Sequence, residues 1–211
     1  MQTIRAVERS NFQTPRLMQT PDDALVRAAQ HGDTRAFDAL VQRHDRTVVH
    51  VVLGIVGSEQ DALDVAQEAF IRAYRKLHTF RFESAFATWV TRIAINQALS
   101  VRKRRRWRHR FRLEQWQESQ TDDTSRFLWT APTPDRGVLS DEFRQAYAEA
   151  MTILSDRERA VFTLKHTHEY KLREIAELLG CAEGTVKNYL FRATRKLRDA
   201  LADYRDHARV H

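Results

Sequence analysis

Residues 182–198 have the clearest chemical character in this chain, because they combine five lysines or arginines with a single acid. The preceding segment, residues 171–180, has the pattern of a short helix that ends at a glycine, a residue suited to the left-handed position that closes a helix. A short turn followed by a second, basic helix is typical of a helix-turn-helix motif, whose second helix enters the major groove of DNA. The side chains predicted on its outer face are Lys187, Asn188, Arg192 and Arg195.

The start of this second helix is a second feature that suits a nucleic acid. Its Gly184-Thr185 beginning would offer free backbone N–H groups to a phosphate. Side chains one turn further along would reach base edges, and Arg159, on the helix that comes before the motif, would add a phosphate contact. The alternative interpretation of the motif is a helical hairpin with a solvated charged surface.

Residues 79–104 interleave aromatic rings with cations. The aromatic residues are Phe80, Phe82, Phe86 and Trp89, and the polar ones are Arg81, Arg92, Asn96, Arg102 and Lys103. Rings of this kind stack on unpaired bases and cations neutralise phosphates, so the segment predicts a single-strand site. The alternative is that the rings belong to the core, which suits Phe86 and Trp89 better than the loop residues Phe80 and Phe82.

Residues 59–70 form an acidic stretch without lysine or arginine, in a chain of net positive charge. Glu59, Asp61, Asp64 and Glu68 lie opposite the apolar stripe of a predicted helix over 58–78. An acidic face repels nucleic acid, so it predicts docking of a basic protein. The alternative is a solvated helix face whose acids favour the N-terminus.

Composition limits the partners of the chain. The 211 residues carry a formal net charge of +7 with a pI of about 9.9, which favours a polyanion. The single Cys181 excludes an intrachain disulfide. No apolar run approaches the roughly 18 residues that a spanning helix needs, and residues 1–20 do not resemble a secretory signal. We therefore expect a cytoplasmic protein without membrane insertion.

The sequence contains no pattern typical of an enzyme. It has no HExxH motif, no paired cysteines and no glycine-rich phosphate loop, so we expect no catalytic residue, metal or cofactor. The closest approach to a ligand pair is His166-Thr167-His168, which we interpret as solvent-facing.

The remaining sequence predicts an all-α protein of two helical domains. Apolar residues recur at steps of three and four, six glycines and four prolines leave few tight turns, and no alternating strand pattern appears. Ser58 and the Ser155/Glu158 pair are predicted helix caps. The predicted division is a disordered extension at 1–20, a domain at 21–104, a flexible linker at 105–139, a domain at 140–206 and a tail at 207–211.

Four segments in this order resemble bacterial sigma factors. Residues 61–74, DALDVAQEAFIRAY, are similar to the D-x-x-D-x-x-Q-E-x-F-x-x-x-[YW] signature of the sigma-70 family. Residues 84–96 resemble the promoter-melting helix that follows it. Residues 154–159 and 184–188 resemble the start and recognition helix of the domain that binds the −35 promoter element. Because the extra domains of housekeeping members are missing, the chain resembles the extracytoplasmic-function group, also called group 4.

The resemblance implies a function for each surface. It implies partners as well: core RNA polymerase through its β′ coiled coil and its β subunit, promoter DNA, and an anti-sigma factor that can hold the protein at the membrane. The residues implied for polymerase binding are Asp61, Asp64, Gln67, Glu68 and Ile71. Those implied for the single-stranded −10 element are Phe80, Arg81, Phe82, Ser84, Trp89, Arg92, Asn96, Arg102 and Lys103. Those implied for the −35 duplex are Arg159, Arg173, Thr185, Lys187, Asn188, Phe191, Arg192 and Arg195.

The chain also departs from the family pattern. Phe82 stands where glycine is common, Tyr189 and Thr194 stand where arginine is frequent, and Lys171 replaces a usual serine. The run from 102 to 112 holds eight lysines or arginines, which is unusually basic. The alternative function is a stand-alone helix-turn-helix regulator, which would bind promoter duplex alone and would need no acidic docking face.

Overall fold

The computed structural model describes residues 20–115 and 141–202, with side chains over 20–108 and 142–202. These residues form eight α-helices and one 3-10 turn, which confirms the all-α prediction. The helices are α1 Asp22–Gln30, α2 Thr34–Val56, α3 Glu59–Lys76, α4 Phe86–Gln115, α5 Asp141–Thr152, α6 Asp156–His166, α7 Leu172–Leu179 and α8 Glu183–Ala200, and the 3-10 turn is Leu77–Thr79. The predicted disordered extension, most of the linker and the tail lie outside the described residues.

The first domain consists of α1 to α4. Small residues line the buried face of α3, where Ala62, Ala66, Ala69 and Ala73 are all buried. Alanines at steps of three and four let α3 approach α2 and α4, and the apolar stripe of α2 fills the space between them. The predicted end of α2 is confirmed, because Gly57 closes it in the left-handed conformation at φ 80°. The predicted N-cap of α3 is confirmed too, because the Ser58 hydroxyl accepts a hydrogen bond from the Asp61 N–H.

The second domain consists of α5 to α8. Its α7 and α8 cross as the predicted helix-turn-helix, with Ile175, Leu178, Leu179 and Val186 buried. Gly180 closes α7 in the left-handed conformation at φ 61°. The predicted capping box at the start of α6 is present, between Ser155 and Glu158.

The helix α4 is longer than the sequence analysis anticipated. It continues to Gln115, so the first eleven residues of the predicted linker, 105–115, are helical. The basic run contains neither proline nor glycine, and arginine is a good helix former. The Arg105 guanidinium also forms an ion pair with the Asp61 carboxylate, which ties this extension to α3.

The two domains pack directly against each other. Helices α2 and α4 of the first contact α6 and α7 of the second, and buried residues from both domains join one apolar cluster, while α5 and the later part of α8 form a second, smaller cluster. Gly54 of α2 lies directly against α6, and its carbonyl accepts hydrogen bonds from Thr163 Oγ1 at 3.1 Å and Arg159 Nε at 3.3 Å. We call this packing the closed arrangement.

Polar groups surround the apolar contact between the domains. The Asp156 carboxylate, at the start of α6, accepts from Arg102 Nε at 2.7 Å and pairs with Arg106 at 2.6 Å. His168 lies half-buried against His50 of α2. The prediction that the 166/168 histidine pair faces solvent is therefore wrong for His168, because the second domain places it in this interface.

Candidate nucleic-acid and protein-docking surfaces

The outer face of α8 presents the predicted duplex-binding side chains to solvent. The exposed residues of this face are Lys187, Asn188, Phe191, Arg192 and Arg195. Phe191 is the most exposed large apolar residue described, at 70%. Lys187 pairs with Glu183 at 3.0 Å and Arg195 with Asp199 at 3.9 Å, both on the same helix. Exposed pairs of this kind contribute about 0–1 kcal/mol, so a phosphate can replace the carboxylate at little cost.

The other three predicted duplex-binding residues occupy different environments. Thr185 is half-buried at the start of α8, and Arg173 on α7 is exposed beside Glu177. Arg159 is only 5% exposed, because the closed arrangement holds it against the Gly54 carbonyl. Burial, and after it the charge of Arg102, lowers the pKa of Arg159 to about 9. The structure therefore brings seven of the eight residues to the second domain's surface or near it, and places Arg159 in the domain interface.

The aromatic residues of 80–89 form a cluster rather than four separate platforms. The Phe80 ring lies 5.0 Å from Phe82, 5.1 Å from Trp89 and 6.2 Å from Phe86, measured between ring centroids. Phe80 is 5% exposed and Phe86 is fully buried. The interpretation of Phe80 as a loop residue outside the core is therefore wrong, because a ring buried from all sides offers no face to a base. Phe82 and Trp89 are half-buried and keep part of their rings accessible.

Phe82 has an unusual backbone. Its φ of 60° is left-handed, which explains why a glycine suits this position, and a residue with a side chain there costs roughly 1–2 kcal/mol. The Phe82 ring meets the Phe80 ring in an edge-to-face contact, and the Arg27 guanidinium carbon lies over the Phe82 ring, 4.3 Å from its centroid. A cation over an aromatic face contributes about 0.5–1 kcal/mol at an exposed site, which offsets part of that cost.

The predicted polar residues extend from the loop along α4, so that Lys103 lies about 21 Å beyond Trp89 along the helix axis. The predicted single-strand residues that are exposed are Arg81, Ser84, Arg92, Asn96 and Lys103. Arg102 differs, because its side chain is 16% exposed and donates to Asp156 and to the Ile55 carbonyl. In the closed arrangement Arg102 is therefore not part of the exposed surface that could bind a single strand. Sequence reasoning missed Arg27 and Gln30 of α1, which contact the loop, because no periodic signal links residues some 50 positions apart.

The acidic face of α3 is mixed rather than purely charged. Asp64 and Gln67 are exposed, and Glu68 pairs with Arg72 at 2.7 Å while staying accessible. Ile71 is 40% exposed, and Leu63, eight residues earlier on the same helix, is 48% exposed. Sequence reasoning missed Leu63. The pattern that could have identified it is its position, since it is an apolar residue outside the buried stripe of the helix. Acids around exposed aliphatic groups are suited to a protein surface that is basic at its rim and apolar at its centre.

The described residues offer no site for a metal and no membrane span. No three His, Cys, Asp or Glu side chains within 20–108 and 142–202 are placed to hold an ion. Among the helices of the described ranges, none is both long and apolar enough to cross a bilayer. The groove between α3 and α4 is lined by Asp61, Asp64, Arg104 and Arg108 together with two valines, so it mixes both signs of charge.

Comparison with known proteins assigns both domains. A family model described as Sigma-70 region 2 matches residues 40–108, and one described as Sigma-70, region 4 matches residues 144–197. The chain is 37% identical over 188 residues to the RNA polymerase sigma-H factor of Pseudomonas aeruginosa, covering 88% of this chain and 96% of that protein. It is 36% identical over 175 residues to the ECF RNA polymerase sigma-E factor of Escherichia coli K12, covering 83% and 91%. A solved structure of the sigma factor RpoE in complex with the anti-sigma factor NepR, from Bartonella quintana, shares the fold with a TM-score of 0.58 at 20% identity, covering 79% of this chain and 96% of that one.

Proposed function

This chain belongs to the sigma-70 family, in the extracytoplasmic-function group of alternative RNA polymerase sigma factors, and we propose that three of its surfaces divide the work of promoter recognition. The acidic face of α3 docks on core polymerase. The aromatic and basic surface of the loop and α4 holds the unpaired −10 strand. The outer face of α8 reads the −35 duplex.

The observation that carries this proposal is the acidic and apolar face of α3. Leu63, Asp64 and Ile71 are exposed on a chain whose other candidate surfaces are basic. A stand-alone regulator that binds promoter duplex alone would need no such face, whereas a sigma factor must bind a protein partner as well as DNA. The charge of the face also keeps it from competing for the promoter.

Reversing the charge of this face tests the proposal. Asp64→Lys with Glu68→Lys is expected to weaken binding of core polymerase tenfold or more, which is about 1.4 kcal/mol, in a fluorescence titration. Asp38→Lys with Glu142→Lys is the matched control, because both acids are exposed, lie outside α3 and shift the net charge equally. Equal polymerase affinity of the two double variants would contradict the docking surface.

We also propose that the closed arrangement opens when the polymerase binds. Arg102 and Arg159, one from each DNA-binding set, donate to groups inside the domain interface. Neither can contact a phosphate until the domains separate. Promoter elements roughly 16–18 base pairs apart also lie about 55–60 Å apart along the duplex, which requires the domains to be spaced by the polymerase.

The cellular setting follows from this assignment. The protein acts in the cytoplasm, where its polymerase and promoters are, and it has no catalytic role of its own. Because the Bartonella sigma factor of the same fold is bound by an anti-sigma factor, we expect a comparable protein inhibitor here. Co-purification of the full chain from its native host tests for that inhibitor.

A further inference from the structure

We propose that α1 is part of the single-strand site, with Arg27 as a phosphate ligand and Gln30 as the residue that positions the loop. This inference rests on the proposed function of the loop and α4. Helix α1 precedes the residues 40–108 that match the region 2 family model. The evidence that α1 contributes to the site is therefore its contacts with the loop.

Gln30 connects two parts of the loop with one amide group. Its Nε2 donates to the Leu77 carbonyl at 2.9 Å and to the Phe80 carbonyl at 3.0 Å. The first lies in the 3-10 turn and the second begins the loop, so both amide protons are used to hold the chain bend. A glutamate at this position would set a carboxylate against two carbonyl oxygens, which repel it.

Arg27 lies one turn before Gln30 and therefore faces the same loop. Its guanidinium covers one face of Phe82, whose left-handed backbone directs the ring toward α1. The Arg27 side chain is exposed, and within the described residues no carboxylate lies within ion-pair distance of it. Stacking uses the face of the planar group and leaves its N–H edge for an anion.

The position of this cation predicts its ligand. A nucleotide whose base is held near Phe82 and Trp89 would have its backbone phosphates at the rim of the aromatic cluster. Arg27 is a cation stacked on the Phe82 ring at that rim. Every nucleotide of a single strand has a backbone phosphate whatever its base, so the contact adds affinity without reading sequence. Gln30 acts differently, because it fixes the loop shape on which base selection depends.

Salt dependence separates a phosphate ligand from a structural residue. The probe is a fluorescent single-stranded DNA selected from a random pool by the wild-type holoenzyme, titrated at several KCl concentrations. Arg27→Met keeps the stacking stem and removes the charge, so the slope of log K against log salt should fall by about 0.7. Arg27→Lys should keep the wild-type slope. Arg198→Met, an exposed arginine of the second domain, is the control and should change neither slope nor affinity.

Gln30→Glu should weaken binding at least fivefold and flatten the base preference in the same selection, and the uncharged Gln30→Met should do so with the salt slope unchanged. Thermal unfolding of each variant reports whether the fold survives, and Gln30→Met repeats the test without the added charge. An unchanged slope in Arg27→Met would overturn the phosphate role, and unchanged base preference in both Gln30 variants would overturn the positioning role. If the wild-type holoenzyme bound no single strand, the proposed function itself would fail.

Discussion

The substitution Gly54→Ala should separate the two domains without harming either. A Cβ built on Gly54 would lie closer than 3.0 Å to the Thr163 Cγ2 methyl across the interface, and 3.3 Å from its Oγ1. Real side chains do not accept the first distance, so either Thr163 rotates and loses its hydrogen bond to the Gly54 carbonyl, or α6 moves away from α2. Inside its own helix the alanine is favourable, by roughly 0.5–1 kcal/mol relative to glycine.

The structure sets the size of the effect. Overpacking of a tight contact costs about 1–3 kcal/mol. Moving α6 also lengthens the hydrogen bonds that Thr163 and Arg159 donate to the Gly54 carbonyl, each of which contributes about 0.5–1.5 kcal/mol. The overpacking contribution of 1–3 kcal/mol by itself changes the ratio of closed to open molecules by about 5–150-fold. We therefore expect Gly54→Ala to raise the ratio of open to closed molecules at least about fivefold.

Small-angle X-ray scattering of the free chain measures this opening as a larger radius of gyration. Thr163→Ser provides the matched rescue, because it removes Cγ2 and keeps the hydroxyl that bonds to Gly54. The double variant should close again, since the nearest side-chain atom is then the hydroxyl at 3.3 Å. If Gly54→Ala scattered like the wild type, or if the double variant stayed as open as the single one, the reasoning from this contact would be refuted.

Three further predictions use the same surfaces. Burial first, and the charge of His50 second, lower the pKa of His168 below its usual 6.5, so the proton binds the open form more strongly. The closed arrangement should keep its stability above pH 6.5 and lose it as pH falls from 6.5 toward the lowered pKa, and scattering at pH 7.5 and 5.5 that shows no expansion would contradict this. Asp156→Asn leaves two guanidinium groups without their carboxylate and should favour opening by about 1–3 kcal/mol, which the same scattering measurement detects. In a promoter-library selection, Arg192→Ala should relax one −35 position by about 1–3 kcal/mol while Lys187→Ala weakens all sequences alike, and unchanged preference in both would count against the α8 assignment.

The helices and their outward faces could be predicted from the sequence because their causes are local. Steps of three and four fix which side of a helix is apolar, and residues such as Ser58, Ser155 and Gly180 mark its ends within one turn. The exposed side of α8 follows from the same periodicity, so its basic residues were found without coordinates. The family resemblance rests on these local patterns too, which is why the sequence pointed to the sigma-70 family.

Only the tertiary structure decided which side chains are buried or hydrogen-bonded inside the molecule and are therefore not available to a partner. The Phe80 ring is buried by neighbours that come from other elements, and Gln30 reaches carbonyls 47 and 50 residues away. Arg159 bonds to Gly54 over a separation of 105 residues. Local periodicity carries no information about such partners, because they depend on how whole helices and domains pack. The sequence by itself therefore determined the helices and the chemical character of the surfaces, whereas packing decided that Phe80 is core and that Arg102 and Arg159 are held between the domains.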